Sequence, residues 1–124
     1  MHELSICLSL LSQVAAIAKD RGAESVDRIV IDVGPLSGVE PLLLADAFEI
    51  ARAGSCAAQA QLSITTTKVI VGCLECGTRS PAAPNRLQCA SCGGYRTKIV
   101  TGDEMILRRV DLRVRESPPA SAAA

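Results

Sequence analysis

Cys73-Leu74-Glu75-Cys76-Gly77 and Cys89-Ala90-Ser91-Cys92-Gly93 are two knuckles of one pattern, twelve residues apart when counted from Gly77 to Gln88. Two Cys-x-x-Cys pairs at this spacing can close four thiolates around one tetrahedral ion. The glycine behind each pair allows the tight turn that aims backbone amides at sulfur. The ligands expected are therefore Cys73, Cys76, Cys89 and Cys92. A complete four-cysteine set is closed, which favours a structural Zn(II). Iron in a rubredoxin-like site is the alternative metal. Disulfides or free thiols are the alternatives without one. The pattern decides the fold because it interrupts the chain between two strand-like segments.

Residues 61–71, rich in Thr, Ile and Val, read as the strand that enters the module. Residues 104–114 read as the strand that leaves it. There Ile106, Val110, Leu112 and Val114 face one way, and Arg109, Asp111 and Arg113 the other. Strands flanking an insertion are often antiparallel neighbours, which would set the module at one end of the sheet. Upstream, residues 26–33 alternate, with Ile29, Ile31 and Val33 on one face and Arg28 and Asp32 on the other. Residues 3–20 read as an amphipathic helix with Leu4, Leu8, Leu11, Ala15 and Ala18 at three- and four-residue steps. Lys19 and Arg21 suit its last turn and Gly22 its left-handed stop. A second helix runs from about Glu40 to Ala53, with Pro41 at its first turn, Gly54 beyond it and a stripe of Leu44, Ala47, Phe48 and Ala51. The fold class expected is α+β: two helices on a three-stranded sheet, with an inserted four-cysteine ribbon. Residues 1–69 and 101–116 form one domain, 70–100 the inserted module and 117–124 a disordered tail of low complexity.

Hydrophobic residues make up 48% of the 124, yet Phe48 and Tyr95 are the only aromatics, so the core must be built from Leu, Ile, Val and Ala. Thirteen basic residues balance thirteen acidic ones, so no net charge draws the chain toward nucleic acid or an anionic membrane. Residues 4–18 are apolar but do not read as a signal peptide: no cation precedes them, and Ser5, Ser9, Ser12 and Gln13 interrupt them. They are too short and polar to span a bilayer. The expected location is cytoplasmic, where cysteines serve as metal ligands more than as disulfides.

No catalytic arrangement is visible. One histidine, at position 2, permits no Ser-His-Asp or Cys-His pair. No Gly-Lys-Ser/Thr phosphate loop occurs. Glu3, Glu40 and Glu49 could approach one another, but helix-end carboxylates are usually just solvated. Arg79, Arg86, Arg96 and Lys98 against Glu75 make the ribbon locally basic. Solvation of a small module explains that first, and docking of an acidic partner second. Cys7 reads as a small buried hydrophobe and Cys56 as an inert loop thiol.

The start of the chain is more specific. In Met1-His2-Glu3 an α-amine, an amide nitrogen and an imidazole can close fused chelate rings. Such a nitrogen set suits Ni(II) or Cu(II) better than Zn(II). A bulky second residue disfavours removal of Met1, so the amine is that of Met1. Amine and imidazole must both lose protons to ligate, so affinity should rise with pH.

Four stretches together resemble the HypA/HybF family of hydrogenase accessory proteins. They are Met1-His2-Glu3-Leu4-Ser5; Val33 to Pro41 running into Ala47-Phe48-Glu49; the two knuckles; and Gly102-Asp103-Glu104 before the last strand. The resemblance covers about residues 1–114. It implies a nickel metallochaperone of [NiFe]-hydrogenase maturation, not an enzyme. Nickel is then bound at Met1, His2 and Glu3, and a structural zinc at Cys73, Cys76, Cys89 and Cys92. The implied partners are a nickel-handling GTPase and the hydrogenase large subunit, with a related role toward urease in some organisms; no nucleic acid or membrane is implied. Homodimers and monomers both occur in the family. The chain departs from the family pattern at Ala90 and Pro35, where proline and a polar residue are common, and in its Ala-Ser-Pro tail. Two rivals come from other classes: a zinc ribbon that binds nucleic acid or protein, and a redox module using its Cys-x-x-Cys pairs.

Overall fold

The computed structural model describes residues 2–114. Met1 and the tail residues 117–124, expected to be disordered, lie outside that range. Helix α1 (His2–Asp20) leads into strand β1 (Ala23–Val33), and helix α2 (Pro41–Ala51) into β2 (Gln61–Thr66). Strands β3 (Ile70–Cys73), β4 (Arg79–Pro81) and β5 (Thr97–Thr101) follow, and β6 (Met105–Val114) completes the order. The fold is α+β. One three-stranded sheet has the order β2-β1-β6, and a second, smaller one has the order β4-β3-β5.

The expected helices are present, with their stops. Gly22 and Gly54 take φ of 65° and 77°, which only glycine adopts freely, and each lies just beyond a helix. Glu40 caps α2, its carboxylate accepting from the Leu42 N–H, and Pro41 opens the first turn. The α2 stripe buries Leu44 and Phe48, with Ala47 and Ala51 packed beside them. Helix α1 sits rotated from its expected stripe. It buries Cys7, Leu10, Leu11, Val14 and Ala18, while Leu8 is 55% exposed and Ala15 exposed. Cys7 fills the place of a small hydrophobe, its thiol donating to the Leu44 carbonyl of α2. Helix α1 packs on β1 and α2 on α1 and β2, in one core with the buried Ile29, Ile31 and Val33 of β1. Each such side chain contributes ~1.5–3 kcal/mol.

Three strand expectations need correction. Residues 61–71 are two strands, because at Thr67 the chain leaves the large sheet, its N–H donating to the Val33 carbonyl, and Ile70 begins the small one. The strands flanking the module, β2 and β6, are not neighbours: β1 lies between them, parallel to β2 and antiparallel to β6. A helix joining β1 to β2 carries the chain back to the same end, which makes those two the parallel pair. Antiparallel neighbours do occur inside the module, where β3 pairs with β5. Finally, Ile106 and Val114 are exposed, and Met105, Leu107, Val110 and Leu112 pack on the core. Ile31 pairs with Leu107 but Val30 with Arg109, so Arg108 is an extra residue that reverses the alternation. Its guanidinium pairs with Asp32, which is only 2% exposed. That ion pair lets a carboxylate lie buried on the central strand.

Candidate metal centres

Each knuckle of the small sheet turns back on itself through a glycine. The Gly77 N–H donates to the Cys73 carbonyl and the Gly93 N–H to the Cys89 carbonyl, with φ of 74° and 77°. The turns aim amides at sulfur: the N–H groups of Glu75 and Cys76 lie 3.4 and 3.3 Å from Cys73 Sγ, and that of Cys92 lies 3.5 Å from Cys89 Sγ. The strands bring the knuckles together. Cys73 Sγ is 3.6 Å from Cys92 Sγ, and Cys76 Sγ is 3.6 Å from Cys89 Sγ. All four sulfurs lie within 4.8 Å of one another. A tetrahedron with metal–sulfur bonds of about 2.3 Å has edges of about 3.8 Å, so the cage is the right size for one ion. Among the described residues this is the single cluster of three or more possible metal ligands.

The electrostatics suit a cation. Hydrogen bonds from Thr78 hold the Cys76 thiol down to about 6. The Cys92 N–H, first among several groups, lowers that of Cys89. The Gly94 N–H pulls Cys92 the same way, but the sulfurs of Cys73 and Cys76 push it up to about 12. Cys76 and Cys89 thus lean toward thiolate, and Cys92 needs a positive charge before it can ionise. A divalent ion in place of the protons supplies it. The two sulfur contacts of 3.6 Å each join different knuckles, whereas a redox Cys-x-x-Cys pair joins its own two. Arg79, Arg86, Arg96 and Lys98 are all exposed around this small sheet.

The N-terminal residues lie elsewhere, in the first turn of α1. His2 is exposed and Glu3 half-buried. Glu3 Oε2 lies 3.5 Å from the Glu40 N–H, at the end of the β1–α2 loop. Glu3 and Glu40 are thus brought together, while Glu49 pairs with Arg52 at 2.7 Å. Met1 is outside the described residues. The thiol of Cys7, one turn further along, is raised by burial and then by the Glu3 charge, so it is a poor ligand. Cys56 is held through its carbonyl, which accepts from the Val26 N–H. Neither thiol belongs to the sulfur cluster.

Sequence reasoning passed over several residues that shape these centres. Ser80, buried in β4, accepts from the Ala90 N–H at 3.1 Å and so braces the second knuckle. Thr78 holds Cys76. Glu104 accepts from Thr67 Oγ1 at 2.6 Å and from the Gly102 N–H at 2.9 Å. The only sequence signal for Glu104 was its place in Gly102-Asp103-Glu104.

Comparison with known proteins agrees with this geometry. The family described as "Hydrogenase/urease nickel incorporation, metallochaperone, hypA" matches residues 1–112. A hydrogenase maturation factor HypA of Aquifex aeolicus is 38% identical over 92% of this chain and 99% of its own length. That of Nitrosospira multiformis is 39% identical over 90% and 97%. The solution structure of the nickel metallochaperone HypA from Helicobacter pylori superimposes with a TM-score of 0.68 at 29% identity, covering 91% of this chain and 98% of that one. A second HypA solution structure gives 0.72 at 30% identity, with coverage of 93% and 98%. With one family model spanning nearly the whole described chain, a sulfur cage in the small sheet and a histidine at the open end of α1, this chain belongs to the HypA family of hydrogenase nickel-incorporation metallochaperones.

Proposed function

We propose that the chain binds Ni(II) at Met1, His2 and Glu3 and delivers it to the [NiFe]-hydrogenase large subunit. The observation that carries this reading is the placement of the chain's only imidazole: exposed, on the first turn of a helix anchored in the core, beside the Glu3 carboxylate. Backbone and amine nitrogens with an imidazole make a tetragonal set suited to nickel. Donors at an open end can be loaded and stripped by a partner. Glu40 meets this turn through its backbone N–H, while its carboxylate caps α2. Residues 1–69 and 101–116 act as the nickel domain, and 70–100 as the zinc domain. Cys73, Cys76, Cys89 and Cys92 hold a structural Zn(II), supported by the closed four-sulfur donor set.

The working partners are a nickel-handling GTPase and the large subunit, in the cytoplasm. No described helix is long and apolar enough to cross a membrane.

The test is nickel titration of the zinc-loaded full chain with a native N-terminus, beside His2→Ala and a form carrying a short N-terminal extension. The substitution should weaken nickel by at least about 100-fold, the scale already reached when a ligand merely loses its supporting partner. Zinc content should not change. The extension keeps His2 but removes the free amine, and should weaken nickel comparably. If His2→Ala binds nickel like the parent, the site assignment is wrong.

A further inference from the structure

Gly72 stands in β3, the central strand of the small sheet, and nothing in the fold requires a glycine there. It takes no left-handed φ, unlike Gly77 and Gly93. A Cβ on it would touch a single atom, Val100 Cγ2, at 3.4 Å. Gly34 and Gly102, where the two sheets join, are different. A Cβ on Gly34 would overlap the Gly102 carbonyl, and one on Gly102, whose φ is 117°, would come within 2.9 Å of Val69. A glycine inside a strand gives up stability and packs nothing. It often marks a place where a ligand or another chain comes close to the backbone.

The neighbours of Gly72 show what borders that gap. Gly72 pairs with Arg79 of β4 on one side and with Lys98 of β5 on the other. Strands lie about 4.8 Å apart, so the two cations flank a bare backbone position across about 10 Å. Beyond the Cys73–Thr97 pair the Leu74 N–H donates to the Arg96 carbonyl at 2.8 Å, which carries the ladder on by one row. By alternation Leu74 and Arg96 share the face of Gly72, Arg79 and Lys98. That face is open: Arg79, Arg96 and Lys98 are exposed, and Leu74 is 61% exposed. The opposite face holds Val71, Cys73 and Ser80, all buried, and is the side that braces the second knuckle.

The charges on the open face lack counterparts. Among the described residues no carboxylate pairs with Arg79, Arg96 or Lys98, whereas Arg52, Arg108, Arg109 and Arg113 each hold one. The single carboxylate of the module, Glu75, lies against Gly94, where a Cβ would come within 2.7 Å of its Oε2. We propose that the open face of the small sheet is a docking platform for an acidic, extended segment of a partner protein. One carboxylate of that segment settles over Gly72 between Arg79 and Lys98, and an apolar side chain rests on Leu74. Cations without counter-charge steer and orient an acidic partner. Single-stranded nucleic acid would want aromatic side chains to stack on, and this face has none. The platform goes beyond the nickel reading and does not depend on it.

The experiment pans a library of random short peptides on the zinc-loaded full chain and measures the recovered peptides by fluorescence anisotropy. They should be rich in Asp and Glu, with Leu, Ile or Val among them, and should bind more weakly as salt rises. Gly72→Val fills the gap with a residue that strands favour, so zinc content and melting temperature should hold or rise. Peptide binding should nevertheless weaken at least about tenfold, because the new side chain stands where the carboxylate settles. Lys98→Glu, at an exposed position, should weaken it about tenfold through charge. Peptides that bind both variants as they bind the parent overturn the proposal, as does a recovered set without acidic enrichment.

Two further arms separate other occupants. Oligouridine RNA should show no binding that Gly72→Val removes. If it does, and no peptide is recovered, the face belongs to nucleic acid and the proposal fails. Sedimentation of the parent and of Gly72→Val should be alike. A parent that dimerises where the variant stays monomeric would make the occupant a second copy of this chain, which also overturns the proposal. None of these readouts uses nickel, so the platform and the nickel assignment can fail separately.

Discussion

At the tip of the small sheet four sulfurs lie within 4.8 Å of one another, and Cys73 and Cys89 are buried. At the start of α1 His2 is exposed, and Glu3, half-buried beside it, reaches a single loop amide. The first set comes from two knuckles whose backbones are clamped by strands and turns. The second comes from neighbouring residues at one end of a helix. A cage assembled from distant residues can release its ion only by opening the fold around it. Donors gathered at an exposed end need no such opening. On the proposed reading, one chain carries a geometry for keeping a metal and a geometry for passing one on.

The largest break in this comparison should come from Cys73→Ser. It removes one sulfur and the acceptor of the Glu75 and Cys76 amides. Structural zinc sites in small modules are worth about 10–16 kcal/mol, so losing the ion should unfold the ribbon. Zinc content should drop from one per chain to none, and backbone resonances of β3–β5 should collapse while those of β1, β2 and β6 persist. Retention of zinc would show that the four sulfurs do not act together.

Next in size is Phe48→Ala, at a residue 1% exposed in the layer under α2. The cavity should cost about 3–5 kcal/mol. A urea titration should show the large sheet melting earlier, with zinc content unchanged in the folded protein. Simultaneous loss of zinc below the unfolding transition would mean that the two sheets are a single cooperative unit.

A smaller effect should follow Glu40→Gln. The amide can still cap α2, but the residue whose N–H meets Glu3 loses its negative charge. One such charge is worth about 1 kcal/mol in watery surroundings, roughly a fivefold weakening of nickel. Calorimetry that finds nickel affinity unchanged would remove Glu40 from the nickel site.

The smallest is Ala90→Pro, which restores the residue common in the family. It deletes the N–H that Ser80 accepts. That loss, about 1 kcal/mol, is offset by the ~0.4–1 kcal/mol a proline gains by restricting the unfolded chain. Zinc competition should give the same affinity as the parent.

Much of this was legible in the residues themselves. The knuckle spacing announced the sulfur cage, and Gly22, Gly54 and Pro41 marked helix ends where the structure has them. The β1 alternation and the Leu44–Phe48 stripe named core residues that are indeed buried. These are short-range matters: spacing, φ preference and periodicity act within a few residues, whatever the rest of the chain does. The α1 stripe was misjudged because that helix carries apolar residues on more than its core face. Leu4, Leu8 and Leu11 fit one face as well as Cys7, Leu10 and Val14 fit another, and only packing against α2 and β1 chose between them.

Strand order, the Arg108 bulge and the Glu104 junction belong to the tertiary structure alone. Each joins residues far apart in sequence: Val30 with Arg109, Asp32 with Arg108, Gly34 and Thr67 with Glu104. Which partner a strand edge or a carboxylate takes depends on every other segment competing for the same place. Local propensity contains no term for that competition. The sequence by itself therefore determined which donors this protein has and which would cluster at the knuckles. The fold decided how the ribbon is rooted to the large sheet, because only long-range hydrogen bonds and close backbone contact make that joint.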